Sequence, residues 1–332
     1  MPVITYRQAL NETLREELRR DDNVFLMGEE IGIFEGSYKV TAGLLQEFGA
    51  KRVVDTPIAE EGFVGLAAGA AMLGLRPVVE IMTINFILLA IDQVVNHAAK
   101  IHYMFGGQAR VPMVIRTPGG GGQQLAATHS QNFEAWFAYV PGLKVVAPAT
   151  PYDAKGMLRS AIRDDDPVIF LENLALYNTR GEVPEDDGDY TIPIGLADVK
   201  KEGTDLTIIA YSRMTVLALD IARRLEEEGI NAEVVDVRSL RPLDKETIIN
   251  SVKKTNRAVI VEEDWRSYGI GAEIAATIQE EAFDYLDAPV RRVAGIEVPL
   301  PYAKVLERAA LPSAQHLLDA IHTTLAGTRV EQ

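Results

Sequence analysis

The run Val53-Val54-Asp55-Thr56-Pro57-Ile58-Ala59-Glu60-Glu61-Gly62-Phe63-Val64-Gly65 sets the reading of the whole chain. Two β-branched residues lead into a Thr-Pro turn, a carboxylate follows, and a helix of small residues begins. A strand feeding a helix is the building unit of an open α/β sheet, and such sheets bind ligands beyond the carboxyl ends of their strands. Glu60 stands at that corner. Behind it, Gly62, Gly65, Ala67, Ala68, Gly69, Ala70 and Ala71 give the helix a face smooth enough for another helix to lie against. The run therefore predicts a placed carboxylate with a close protein contact beside it.

The same alternation extends in both directions. Spacing predicts a helix over 2–20, with Thr5 as its cap and Ala9, Leu10, Leu14 and Leu18 on its apolar face. Short strands are expected over 24–27, ending at Gly28-Glu29-Glu30, and within 75–84. A long helix is expected over 87–104, carrying Asp92, His97 and His102. Next comes a strand over 111–116, running into Thr117-Pro118 and the glycines Gly119 to Gly122, then strands over 143–147 and 168–172. Between those two, Thr150-Pro151-Tyr152-Asp153 has a cap residue, a first-turn proline and a first-turn acid, the signature of a helix start. Residues 178–194 hold Gly181, Pro184, Glu185, Asp186, Asp187, Gly188 and Pro193, an acidic, punctuated stretch that reads as a domain boundary. Beyond it, strands over 206–210, 232–236 and 258–262 alternate with helices over 215–228, 245–254 and 270–281. The expected fold is α/β with two doubly wound domains, 1–180 and 199–332, joined by a linker over 181–198.

Bulk composition narrows the function. At 332 residues the chain is too long for one ordinary core, and its 47% hydrophobic content suits two. The net charge of -15 argues against nucleic acid as a partner and favours a basic protein surface. There is no cysteine, so thiolate and disulfide chemistry are excluded. Residues 1–10 lack the apolar core of a secretory signal, and no stretch reads as a membrane span. A cytoplasmic location is expected, or an organelle matrix if a transit peptide has been removed.

Several residues could carry chemistry, and each has a plainer explanation. Glu60 at a strand end is desolvated and could share a proton with a ligand nitrogen, or it is only a helix-capping acid; position alone leaves the two even. His129, in Thr128-His129-Ser130-Gln131 after the glycine run, suits an active-site loop or a backbone-bonded loop histidine. His97 and His102 are five apart on the expected helix and share no face as metal ligands would. His316 and His322 fall on a terminal amphipathic helix and read as surface or packing residues. Glu29 and Asp92 taken singly are solvated or capping acids, and Phe86 is a core aromatic or a stacking platform. The run Gly119 to Gly122 lacks the Lys-Ser/Thr of a phosphate loop. Gly269-Ile270-Gly271 is a partial dinucleotide fingerprint without its third glycine, and helix-packing glycines explain it better.

Seven segments in order resemble one family. They are Gly28-Glu29-Glu30, Asp55-Thr56-Pro57-Ile58-Ala59-Glu60, Gly74-Leu75-Arg76-Pro77, His129-Ser130-Gln131, Pro141-Gly142-Leu143-Lys144-Val145-Val146, Ala161-Ile162-Arg163-Asp164-Asp165-Asp166-Pro167 and Arg241-Pro242-Leu243-Asp244. Together they resemble the beta subunit of thiamine-diphosphate-dependent 2-oxo acid dehydrogenases, the decarboxylating components of complexes such as pyruvate dehydrogenase. The resemblance implies a transketolase-like pyrimidine-binding domain followed by a transketolase C-terminal domain, with the active site shared with an alpha subunit in an α2β2 tetramer. It implies that Glu60 bonds the aminopyrimidine and activates the cofactor, that Phe86 stacks on the pyrimidine, and that Met82 and Glu29 line the same pocket. His129 would handle the acyl intermediate and its transfer to lipoyl groups, and Glu29 and Asp92 would line a proton path between paired sites. Backbone carbonyls of Met113, Ala161, Ile162, Asp164 and Asp166 would hold potassium. The family's magnesium diphosphate motif, Gly-Asp-Gly, occurs nowhere in this chain, which implies that the alpha subunit holds the Mg2+.

The activity implied is oxidative decarboxylation of a 2-oxo acid, with pyruvate as the leading substrate and acyl transfer to a lipoyl acyltransferase core. An acetoin dehydrogenase subunit and a branched-chain 2-oxo acid dehydrogenase subunit share the motifs. Two other classes are a non-catalytic scaffold, docking through acids such as Glu280, Glu281, Asp284 and Asp287, and an NAD-binding domain built on Gly269 and Gly271.

Overall fold

In the computed structural model, which describes residues 1–185 and 189–327, the chain divides into two units. The first comprises Met1–Gly119 and Trp136–Ile194, and the second Gly120–Ala135 and Gly195–Gln332. Asp186, Asp187 and Gly188 of the expected linker, and residues 328–332, lie outside the described residues. Among the described residues, no helix is long and apolar enough to cross a membrane.

Six strands of the first unit run parallel in the order Val53–Asp55, Val24–Gly28, Arg76–Glu80, Val114–Gly119, Val168–Asn173, Lys144–Val146. Parallel strands are covered on both faces, so the central ones read as unbroken buried runs, and every residue of Val114–Gly119 and Val168–Asn173 is buried. Helices Tyr6–Arg20, Glu60–Met72 and Pro151–Arg163 accompany the sheet. Thr150 caps the last of these as expected, accepting from the Asp153 N–H at 3.1 Å, with Pro151 in the first turn.

Two expected helices are corrected. The first begins at Tyr6 rather than at residue 2. Thr5 closes a capping box with Gln8, and Val3–Thr5 is instead a strand paired antiparallel with Arg180–Glu182. The segment expected as one helix over 87–104 is a 3-10 turn at Ile84–Ala90, a π-helix at Gln93–Ala98 and one α-turn at Ile101–Met104. The wider π turn brings residues five apart onto one face, so His97 Nε2 lies 3.3 Å from Asp92 Oδ2.

The central strand buries a charge. Arg116 is 1% exposed and sits directly across from Glu80 on the neighbouring strand. Its Nη1 pairs with Glu80, while its Nε and Nη2 donate to Glu172 Oε1 and Oε2 at 2.8 and 2.6 Å. The Tyr177 hydroxyl donates to Glu172 Oε2. Every partner of the guanidinium is itself buried, a group whose members depend on one another.

Gly142 shows a strict backbone requirement. Its φ is +101°, and a Cβ there would fall onto the Ala99 carbonyl. We expect Gly142→Ala to destabilise the protein by about 2 kcal/mol, the left-handed backbone penalty alone being about 1–2 kcal/mol. The check is a lowered urea midpoint at unchanged slope; an unaltered midpoint would refute it.

The second unit has five strands in the order Arg291–Gly295, Ala258–Trp265, Leu206–Ala210, Ala232–Asp236, Asp198–Lys201, the last antiparallel to its neighbour. Helices Arg213–Glu227, Lys245–Thr255, Ile270–Ala282 and Ala314–Leu325 alternate with these strands or follow them. One face is closed by Leu206, Ile208, Met214, Ile221, Val234 and Leu317. Asp198–Lys201 lies where the linker was expected to end, and its four residues are each only part-buried.

Candidate active site

Three neighbouring parallel strands, Val53–Asp55, Val24–Gly28 and Arg76–Glu80, end side by side, and the residues just beyond each converge at one edge of the sheet. Glu60 follows the first, Glu29 the second, and Met82 and Phe86 the third. Local bonds fix the corner. The Thr56 N–H donates to the Gly28 carbonyl at 3.0 Å. Asp55 accepts from the Gly32 N–H at 2.6 Å and the Ile33 N–H at 3.0 Å, tying the turn after Glu29 to the strand end that precedes Glu60. Nothing in the sequence alone gives Asp55 this role; its only signal is a strand-end acid with a glycine turn elsewhere in the chain.

Glu60 is the first residue of helix Glu60–Met72 and is 3% exposed, whereas Ala59 occupies the cap position without a side-chain bond. Glu29 is 5% exposed, and its Oε1 is buried without a hydrogen-bond partner among the described residues. Burial pushes the Glu29 carboxyl up to about 7, and the charges of Glu60 and then Glu30 push it the same way. Two buried carboxylates that feel each other, one protonated near neutrality, can hold one proton between them and exchange it with a ligand nitrogen. Phe86 and Met82 are half-buried, and the Ile84–Ala90 turn packs against helix Glu60–Met72.

The other expected residues lie on other segments. Asp92 is exposed and accepts from Asn96 Nδ2 at 2.6 Å, besides its contact with His97. His129 is exposed on a loop that belongs to the second unit; its Nδ1 lies 3.0 Å from Thr128 Oγ1 and its N–H donates to the Ala126 carbonyl. The five expected potassium positions sit toward the opposite edge of the sheet. Arg76 Nη1 donates to the Ile162 and Asp164 carbonyls at 3.1 and 2.9 Å, and the Met113 carbonyl accepts from the Val168 N–H at 3.0 Å. The Ala161 carbonyl accepts from the Asp164 N–H at 3.3 Å. Lys144 Nζ bridges the carboxylates of Asp164 and Asp166 at 2.7 and 3.1 Å. A carbonyl oxygen has two lone pairs, so one bond leaves room for a second donor or a cation.

In the second unit the partial dinucleotide motif is taken by the protein itself. The Gly271 N–H donates to Glu262 Oε2 at 2.8 Å, and a Cβ at Gly271 would collide with that carboxylate. The anion position at this helix start is therefore filled by Glu262, which removes the NAD reading. Burial is the largest cause holding Glu262 up to about 7 and Asp264 up to about 6. Of the expected docking acids, Glu280 and Asp284 are exposed, Glu281 lies 3.7 Å from Lys245 and Asp287 lies 3.0 Å from Arg257. His322, exposed as expected, contacts Glu228 at 2.9 Å.

A carboxyl group whose folded pKa is raised stabilises the fold most fully below its unfolded value, and the contribution fades as pH rises through the folded one. For Glu29 and Glu262 that window runs from the ordinary 4.5 to about 7. Stability should fall from about pH 5 to about pH 8, and Glu29→Gln should remove part of the slope. Melting curves across that range check it, and a difference between wild type and variant that does not vary with pH would refute it.

Comparison with known proteins places the whole chain. A family model described as transketolase, pyrimidine binding domain, matches residues 3–179, and one described as transketolase, C-terminal domain, matches 195–317. The chain is 55% identical over 318 residues to the pyruvate dehydrogenase E1 component subunit beta of Rickettsia felis, covering 96% of this chain and 97% of that protein. It is 51% identical to the mitochondrial counterpart of Dictyostelium discoideum, covering 96% and 90%, and 51% identical to the pyruvate dehydrogenase E1 component subunit beta of Rhizobium meliloti, covering 97% and 70%. Among solved structures, a split gene transketolase described as an inactive beta4 tetramer superposes with a TM-score of 0.80 at 25% identity, over 98% of this chain and 99% of that one.

Proposed function

We infer the function from one premise: this chain belongs to the transketolase-like family of pyruvate dehydrogenase E1 component beta subunits. It is an oxidoreductase subunit of a pyruvate dehydrogenase complex, from a thiamine-diphosphate-dependent family, and it works with an alpha subunit. The observation that carries this is identity of 51–55% to such subunits over 96–97% of the chain, which favours pyruvate over acetoin or branched-chain 2-oxo acids. The same likeness removes support for a non-catalytic scaffold.

The residues at the sheet edge fit the pyrimidine half of the cofactor. Glu29 offers a buried oxygen without a bond, Glu60 a buried carboxylate beside it, and Phe86 an aromatic face on the adjoining turn. Bound thiamine diphosphate supplies the carbanion chemistry that releases carbon dioxide from a 2-oxo acid. Glu60 holds a proton at the pyrimidine nitrogen, and low solvent access strengthens that bond. Glu29, with its carboxyl near neutrality, exchanges a proton with this pair, and Asp92 continues the path. His129 serves the transfer of the acyl group to a lipoyl carrier as a proton donor or acceptor. The helix face at Gly62, Gly65 and Gly69, open beside exposed Leu66, receives the alpha subunit in an α2β2 assembly. Mg2+ is held mainly by the alpha subunit, a reading supported by the lack of a Gly-Asp-Gly motif in this sequence. The carbonyls of Met113, Ala161, Ile162, Asp164 and Asp166 have lone pairs enough for potassium, with Arg76 and Lys144 as neighbours. Exposed acids of the second unit, Glu280 and Asp284 first, suit docking to a basic part of the acyltransferase core. The setting is a bacterial cytoplasm or an organelle matrix.

The test is reconstitution of this chain with its alpha subunit, thiamine diphosphate and magnesium, following reduction of an artificial acceptor. Turnover needs both chains and prefers pyruvate. A preference for acetoin or a branched 2-oxo acid would overturn the substrate, and turnover by this chain alone would overturn the shared site.

A further inference from the structure

The glycine loop that bears His129 is held by three charged side chains remote from it in sequence, all within the second unit. Glu307, on helix Lys304–Ala310, is 1% exposed. Its Oε1 accepts from the N–H groups of Gly122 at 2.9 Å and Gln124 at 3.1 Å, and its Oε2 shares the Gln124 N–H at 3.2 Å. Glu263 Oε1 accepts from the Gly121 N–H at 2.6 Å, and Glu263 Oε2 pairs with Arg213 Nε at 3.0 Å. Arg213 Nη1 completes the set by donating to the Gly121 carbonyl at 3.1 Å. Four backbone groups between 121 and 124 thus end on residues 213, 263 and 307.

The loop needs such holding. Gly120 and Gly122 have φ of +90° and +92°, and the non-glycine residues Gln124 and Ala126 are also left-handed at +58° and +66°. Backbone in that region persists where its surroundings over-determine it. A Cβ at Gly121 would stand 2.7 Å from Leu300 Cδ1, so the loop lies closely on the body of its unit. Bonds from N–H groups to a buried carboxyl group are among the stronger ones a loop can make, and releasing the loop would leave the buried Glu307 oxygens without these partners. The path from Gln124 to His129 is short: Ala126, at the second left-handed position, accepts the His129 N–H at 3.2 Å.

We propose that Glu307 is a positioning residue, which fixes the 121–126 backbone through Gly122 and Gln124 and so sets where His129 stands, with Glu263 and Arg213 as its supports. The inference rests on the role given to His129 above. In the reconstituted two-chain enzyme, Glu307→Ala, His129→Ala and the double variant are compared for lipoyl acetylation, with hydrogen exchange of residues 120–131 read in parallel. Glu307→Ala should speed exchange of the loop amides about tenfold and lower kcat about tenfold with KM for pyruvate within about twofold. It should add nothing in the His129→Ala background, because both changes remove the same contribution. Glu307→Gln keeps one acceptor oxygen and should fall between; it carries the comparison if Glu307→Ala does not assemble. Additive losses in the double variant, or unchanged loop exchange, would overturn the proposal. Wild-type turnover by His129→Ala would instead overturn the role of His129, while the exchange data would still report whether Glu307 holds the loop.

Discussion

Glu60→Gln should lower kcat of the reconstituted enzyme by about 10²–10⁴-fold, the span over which one placed proton-transfer group acts. The side chains have nearly the same shape, and Glu60 sits at the first helical position with Ala59 at the cap, so the variant loses no capping bond of the helix. Assembly with the alpha subunit should persist, and the loss should appear in kcat at cofactor saturation. The amide cannot take or return a proton. Removing the Glu60 charge also removes one of the causes that hold Glu29 above its ordinary range, so Glu29 should titrate lower in the variant. A Glu60→Gln enzyme with most of its turnover intact would end the assignment. A variant that fails to bind the alpha subunit would move Glu60 from chemistry to assembly.

The largest effect on stability should come from Arg116→Met, at about 3–5 kcal/mol, the cost of breaking a buried ion pair from one side. Glu80 and Glu172 flank the guanidinium on adjacent strands and are both buried, so its removal leaves two carboxylates facing each other without a cation. Burial already raises Glu80, with Arg116 as the main opposing influence. In the variant Glu80 should take up a proton at higher pH, so the loss should be greatest in alkaline and least in acidic buffer. The triple change Glu80→Gln, Arg116→Met, Glu172→Gln should recover much of it, since neutral groups of similar size carry no such penalty. Chemical denaturation at two pH values gives the comparison. A single variant as stable as wild type, or a triple variant worse than the single, would refute the account.

Much of the fold was legible because parallel strands read as mostly apolar runs. Leu206–Ala210 and Ala232–Asp236 coincide with the runs expected from sequence, and the Val53–Asp55 corner leads into its helix as expected. What escaped depends on partners distant in the chain. Val3–Thr5 is a strand only because Arg180–Glu182 lies beside it. Arg116 closes the strand expected over 111–116, and its burial needs Glu80 and Glu172 from two other strands. The interruption of the 87–104 helix has no proline or glycine to announce it. At the candidate corner of the first unit, Glu60 and Glu29 were legible as acids beyond strand ends, whereas the support from Asp55 was not; in the second unit the hold of Arg213, Glu263 and Glu307 on residues 121–124 was equally hidden. Each of these acts on the backbone of another segment, and a backbone partner leaves no mark on the sequence.

The π turn at Gln93–Ala98 amounts to one residue more than an α-helix of the same span would use. Each α-helical residue turns the chain by about 100° and advances it by about 1.5 Å. Deleting a single residue there would let the segment relax into regular α-helix, out of phase with the Ile101–Met104 turn beyond it. Asp92 and His97 would lose their common face, and Tyr103, Met104 and Phe105, now exposed at 87, 61 and 52%, would swing about a quarter turn around the axis. The direction in which that aromatic tip points is therefore set by a residue count some way upstream, and a one-residue gap at 93–98 in any homologue marks a molecule that presents a different side to its surroundings.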